Sequence, residues 1–135
     1  MRVVLDTNVV VSGIFFNGPP MQILAAWAAG QFELIASIEI LAEYRRVSTR
    51  LGRLFPGTDA EPLLDFVTRE SRIVDPVPVP ASACSDPNDL MFLACAIAGR
   101  AQVVVTGDRA LLRASGFRSV EVVTPREFVR RYVDV

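Results

Sequence analysis

The feature that most constrains this chain is alternation. Short β-branched runs trade places with longer helical patterns from one end to the other. "RVVL", "FELIAS", "RIVD", "QVVVT" and "VEVV" read as strands. "PPMQILAAWAAGQ", "IEILAEYRRVSTRL", "DAEPLLDFVTRE", "DPNDLMFLACAIAG", "DRALLRAS" and "PREFVRRYV" read as helices. Strands separated by helices pair in parallel, and a parallel sheet needs helices on both faces. The expectation is an α/β fold: a three-layer α/β/α sandwich with a central parallel five-stranded sheet. The 135 residues suffice for one core and are too few for two, so a single domain over 1–135 is expected. "PVPVPAS" is an extended connector inside that domain.

In open sheets of this kind, ligands bind beyond the carboxyl ends of the strands, where strand order reverses. The residues after each strand are therefore the candidates. After "RVVL" come Asp6, Thr7 and Asn8. After the second strand come Ser37 and the helix carrying Glu43. The helix before "QVVV" opens Asp86-Pro87-Asn88-Asp89, and Thr106-Gly107-Asp108 follows that strand.

Composition narrows the chemistry. All 14 basic residues are Arg, with no Lys and no His. Imidazole bases, P-loop lysines, Schiff bases and His-built zinc sites are excluded. Two cysteines, Cys84 and Cys95, make no disulfide framework and fit a reduced cytoplasm. No apolar run has the length and purity of a membrane span, and the opening residues lack signal-peptide features. Carboxylates and hydroxyls remain, and oxygen ligands suit Mg²⁺ or Mn²⁺.

Each acid has a structural explanation. Asp6 can close a turn, and Asp108 can cap the "RALLRAS" helix. Asp86 suits an N-cap, with Pro87 at the first helical position and Asp89 where a capping-box acid falls. Glu43 borders an expected apolar stripe of Ile40, Leu41, Tyr44, Val47 and Leu51, with Arg46 and Arg50 on its flank. What capping does not explain is the convergence. Four acids from four segments map to one edge of one sheet, where they would repel one another without a cation. A divalent ion there can activate water against a phosphodiester.

"VVLDTNVVVSG", "ILAEYRRV", "DPNDLMFLACAIAG", "VVVTGDRALL" and "VVTPREFV", in this order, resemble the PIN-domain ribonucleases. The similarity is strongest to the VapC-like toxins of bacterial toxin–antitoxin pairs. It implies an Mg²⁺- or Mn²⁺-dependent endoribonuclease, with Asp6, Glu43, Asp89 and Asp108 as catalytic metal ligands. Asn8, Ser37 and Thr106 match supporting polar positions, and Asp86 lies beside the third acid. The resemblance also implies a homodimer and a cognate antitoxin. The chain departs from many relatives at Ala110, where they carry another acid, and at Leu90 and Met91, where they are polar or basic.

For an RNA substrate, Arg46, Arg50 and Arg109 are the expected phosphate contacts. Arg45 and Arg53 are near them, whereas Arg130 and Arg131 read as a solvated helix face. Phe15, Phe16 and Trp27 are stacking candidates, with core packing favoured for Trp27. The helix with Ile23, Leu24 and Trp27 offers either a dimer face or core. Two other functions fit the same residues: a nuclease of RNA maturation or DNA repair, and a binding module that no longer cleaves.

Overall fold

A computed structural model describes residues 1–133; the last two positions of the expected 1–135 domain lie outside the described residues. Its strands are β1 (Arg2–Leu5), β2 (Glu33–Ala36), β3 (Arg72–Ile73), β4 (Val103–Val105) and β5 (Glu121–Val123). All neighbours are parallel, in the order β3-β2-β1-β4-β5. The chain thus builds outward from β1 to β3, then crosses back to lay β4 on the other side of β1. The switch point lies between β1 and β4, where Leu5 is in register with Val105. Val3, Val4, Leu5 and Val103–Val105 are almost wholly buried, as central strands covered on both faces must be. The expected strand "RIVD" shrinks to two exposed residues. It is the sheet edge, and Pro76 and the prolines after it cannot donate to a longer ladder.

The helices are α1 (Thr7–Phe15), α2 (Pro19–Ala28), α3 (Ile38–Gly52), α4 (Glu61–Glu70), α5 (Leu90–Ala98), α6 (Arg109–Leu112) and α7 (Pro125–Phe128). They complete the α/β/α sandwich. A 3-10 turn, Pro87–Asp89, leads into α5, and a π turn, Val129–Val133, follows α7. Both belong to segments expected as single helices. Among the described residues no single helix is long and apolar enough to cross a membrane.

α1 was not expected. Its "VVVSG" is β-branched and intrinsically poor at helix. Burial overrides that preference: Val9, Val10 and Val11 all enter the core. The helix starts at once because the Asp6 carbonyl accepts the N–H groups of Val9 and Val10. Gly13 lets α2 approach, since a Cβ there would meet Leu24 Cδ1 at 2.5 Å and the Pro20 carbonyl at 2.9 Å.

α3 presents Ile40, Tyr44 and Ser48 inward. The expected stripe is therefore corrected: Leu41, Val47 and Leu51 are only half-buried, and Ser48 takes a core position. The Tyr44 hydroxyl donates to the Leu5 carbonyl at 2.5 Å, tying α3 to the carboxyl end of β1. Ile23, Leu24 and Trp27 are buried, with Trp27 5.1 Å from the Phe66 ring, so these three side chains belong to the core.

Candidate active site

Asp6 leaves the sheet at the switch point. Its N–H completes the ladder to the Val105 carbonyl at 2.9 Å, while its side chain, although at an N-cap position, makes no cap bond. The Thr106 hydroxyl instead donates to Asp6 Oδ2 at 2.5 Å and accepts from the Asp108 N–H at 2.9 Å. Thr106 is fully buried, so it locks the ends of β1 and β4 into one unit. Burial holds the Asp6 carboxyl above its ordinary range. The Thr106 hydroxyl and the Thr7 N–H offset this in part, and the charges of Asp108 and Glu43 add to it.

Glu43 arrives from α3. The Thr7 hydroxyl donates to its Oε2 at 3.1 Å, and Arg46 to its Oε1 at 3.0 Å. Tyr44, next in sequence, sets the depth of this segment through Leu5. Sequence reasoning placed Thr7 beside Asp6 without giving it a role and read Tyr44 only as part of an apolar stripe. The signals were a hydroxyl inside "DTN" and a tyrosine, with its polar tip, in an apolar stripe.

Asp89 is as buried as Asp6. It is 6% exposed, and its Oδ2 is buried without a donor. Carboxylate oxygens of Asp86, Asp89 and Asp108 lie within 4.8 Å of one another. Burial, the neighbouring Asp108 carboxyl and the charges of Asp6 and Asp86 push the Asp89 carboxyl up to about 8. Asp108 moves the other way, held down first by Asp89 and then by the Ala110 N–H that it accepts at 2.9 Å. The capping explanations divide accordingly. Asp86 caps, accepting from the Asn88 N–H at 3.0 Å, and Asp108 caps α6, but Asp89 makes no cap bond.

Asp6, Glu43, Asp89 and Asp108 all line one cleft of ≈ 220 Å³, together with Asn8, Arg46 and Arg50. Asp6 and Glu43 stand outside the tighter Asp86–Asp89–Asp108 trio. A larger hollow of ≈ 1130 Å³ opens around Arg2, Phe32 and Gln102, at the amino ends of the strands. The acids gather at the opposite ends.

Other expected site residues are placed elsewhere. Ser37 is buried and caps α3, accepting the Ile40 N–H at 3.2 Å; it does not line the cleft. Arg109 is exposed at the start of α6, also outside the cleft lining. Arg45 is engaged by Glu61 and Asp65, Arg130 by Glu127, and Arg131 by Glu121. Both cysteines are buried thiols, and burial pushes Cys95 up to about 12, so it offers no thiolate nucleophile.

The donor set fits a hard divalent cation. Every ligand atom is oxygen, the buried Asp89 Oδ2 lacks a donor, and clustered acids at one sheet edge need countercharge. A family model described as "PIN domain" matches residues 2–110. The chain belongs to the PIN-domain family. The match spans β1 to the start of α6 and includes every acid of the cleft. PIN domains are generally nucleases and typically use a divalent metal. No curated protein matches this PIN domain.

Proposed function

We propose that this PIN domain is a metal-dependent endoribonuclease, with Mg²⁺ or Mn²⁺ as cofactor and RNA as substrate. The observation that carries the reading is Asp89. A buried carboxylate oxygen without a donor, among acids at the sheet's switch point, is costly unless a cation is its partner.

Asp6, Glu43, Asp89 and Asp108 would hold the ion, with Asp86 beside Asp89 and Asp108. The bound ion supplies Lewis-acid stabilisation of the phosphodiester and an activated water. The chain's own residues do the positioning. Thr106 fixes Asp6 and the Asp108 backbone in one geometry. Thr7 and Arg46 hold Glu43 by both oxygens. Arg46 and Arg50, on the cleft wall, face the phosphate backbone. No side chain serves as nucleophile.

The finer reading is a bacterial toxin, cytoplasmic, homodimeric and restrained by an antitoxin. The ordered motif blocks support it, and a small antitoxin-like reading frame beside the gene would strengthen it. Ala110, in place of a further acid, favours a second reading: a PIN scaffold that binds without cleaving.

Calorimetric titration with Mn²⁺, parent against Asp6→Asn, tests the metal site. Labelled single-stranded RNA, tRNA and flap DNA then test the substrate. Binding and RNA cleavage by the parent, lost in a folded Asp6→Asn, support the ribonuclease. Metal binding with flap-DNA cleavage alone moves the reading to DNA repair. No metal binding even with nucleic acid present leaves the non-catalytic module.

A further inference from the structure

The acid cleft does not end at Arg50. Arg46 and Arg50 also line an adjoining groove of ≈ 370 Å³, whose other walls are Thr49 and Arg53. Three of its four residues are cations. Among the described residues Arg50 and Arg53 form no salt bridge, unlike Arg45, Arg130 and Arg131. Their charge is free for another partner.

The groove runs toward the end of α3, where α1 also ends. The Phe15 ring lies over Gly52, 3.8 Å from where a Cβ would sit. Phe55, just past Arg53, meets Phe16 edge-on at 5.1 Å and Phe15 at 6.1 Å. Phe16 is 45% exposed and Phe55 39%. An aromatic ledge therefore stands at the end of α3, two residues past Arg53 of the groove.

Two helices fix its distance from the acids. α3 runs from Glu43 to Gly52, a rise of roughly 14 Å, and α1 from Thr7 to Phe15, roughly 12 Å. A stacked strand at about 3.4 Å per nucleotide covers that span in roughly four nucleotides. Unpaired carboxylate-free arginines followed by aromatic faces are what a single strand needs: cations for its phosphates and a platform for a base.

We infer that Arg50, Arg53 and the Phe16–Phe55 ledge form a binding track for single-stranded RNA, with an unpaired base stacked on the ledge roughly four nucleotides from the scissile phosphate. The inference rests on the ribonuclease reading and deepens it. RNA is favoured over a protein partner because the ledge follows Arg50 and Arg53, two cations without an acidic partner among the described residues, in a groove that adjoins the cleft. An apolar protein surface would leave those charges unmatched.

The test uses the full chain and a fluorescein-labelled, random-sequence 12-nucleotide RNA, with binding read by anisotropy in EDTA so that no cleavage intervenes. Phe55→Leu keeps the apolar bulk and removes the π face; it should weaken binding about ten-fold, whereas Phe55→Trp should retain it. Arg53→Ala should weaken binding and lower the salt slope by about one. A three-nucleotide RNA, too short to reach from cleft to ledge, should not distinguish parent from Phe55→Leu at the cleft. Equal 12-nucleotide affinity for parent, Phe55→Leu and Arg53→Ala would overturn the track, yet leave the ribonuclease standing if Mn²⁺-dependent RNA cleavage persists. Failure of the parent to bind or cut any RNA would remove both. A change in sedimentation with Phe55→Leu, at unaltered RNA affinity, would assign the ledge to a protein contact and overturn the proposal.

Discussion

Asp89 bears the heaviest electrostatic load in the cleft. It is buried, lacks a donor at Oδ2, and lies close to the Asp86 and Asp108 carboxylates. An Asn at this position keeps the shape and, from about pH 8 upward where Asp89 ionises, removes one charge from the cluster. Asp89→Asn should therefore abolish Mn²⁺ binding and cleavage while raising the Tm of the metal-free protein by a few degrees, measured by thermal melts in EDTA. A lower Tm would mean that the carboxylate is matched by something other than a cation. Tyr44 acts differently. Its hydroxyl satisfies the Leu5 carbonyl beside Asp6. Tyr44→Phe should cost about 1–3 kcal/mol in urea unfolding, because a buried acceptor loses its donor. It should also loosen Mn²⁺ affinity, since α3 and β1 lose their direct tie at the site.

At the scale of elements, α3 is the lever that brings Glu43 to the cleft. Ser37 starts that helix, and its hydroxyl is spent on the Ile40 N–H. Ser37→Ala should lower stability by about 1 kcal/mol, the usual size of a lost N-cap. Mn²⁺ affinity should be nearly unchanged; a large loss of affinity would restore Ser37 to the metal site that the motif resemblance suggested. α1 works as a second lever. Its first turn delivers Thr7 to Glu43 and Asn8 to the cleft wall. That turn exists because three valines are buried by the rest of the fold. Local propensity points to strand there, so α1 was invisible to pattern reading, whereas the "LMFLACAIA" of α5 was plain.

For the whole molecule, the cleft links metal, pH and stability. Without metal the folded protein holds a proton at Asp89 up to about pH 8, which an unfolded aspartate releases near its ordinary value of about 4. The folded state therefore binds more protons across that window. This stabilisation is fully present below about pH 4 and is lost as pH rises through about 8. The raised Asp6 carboxyl acts in the same direction, and the depressed Asp108 acts below the window. Metal-free melts should thus show a falling Tm from pH 5 to pH 8. Mn²⁺ should raise Tm more at pH 8, where Asp89 holds its proton only about half the time, than at pH 5. An equal Mn²⁺ shift at both values would place the ion away from Asp89 and Asp108.

Strand–helix alternation by itself determined the class, the parallel sheet and the edge where ligands gather, because buried parallel strands and covering helices leave strong apolar signatures. It also gathered Asp6, Glu43, Asp86, Asp89 and Asp108 as candidates at that edge, and the motif resemblance preferred Asp89 to Asp86. Only the tertiary structure separated the roles of neighbours. Asp86 and Asp108 cap while Asp89 does not, Arg45 is compensated while Arg50 is not, and Ser37 serves a helix end. These distinctions turn on which groups from distant segments come within hydrogen-bonding reach. One sequence carries no local trace of that, because a carboxylate has the same composition and spacing whether its partner is an amide, an arginine or a cation.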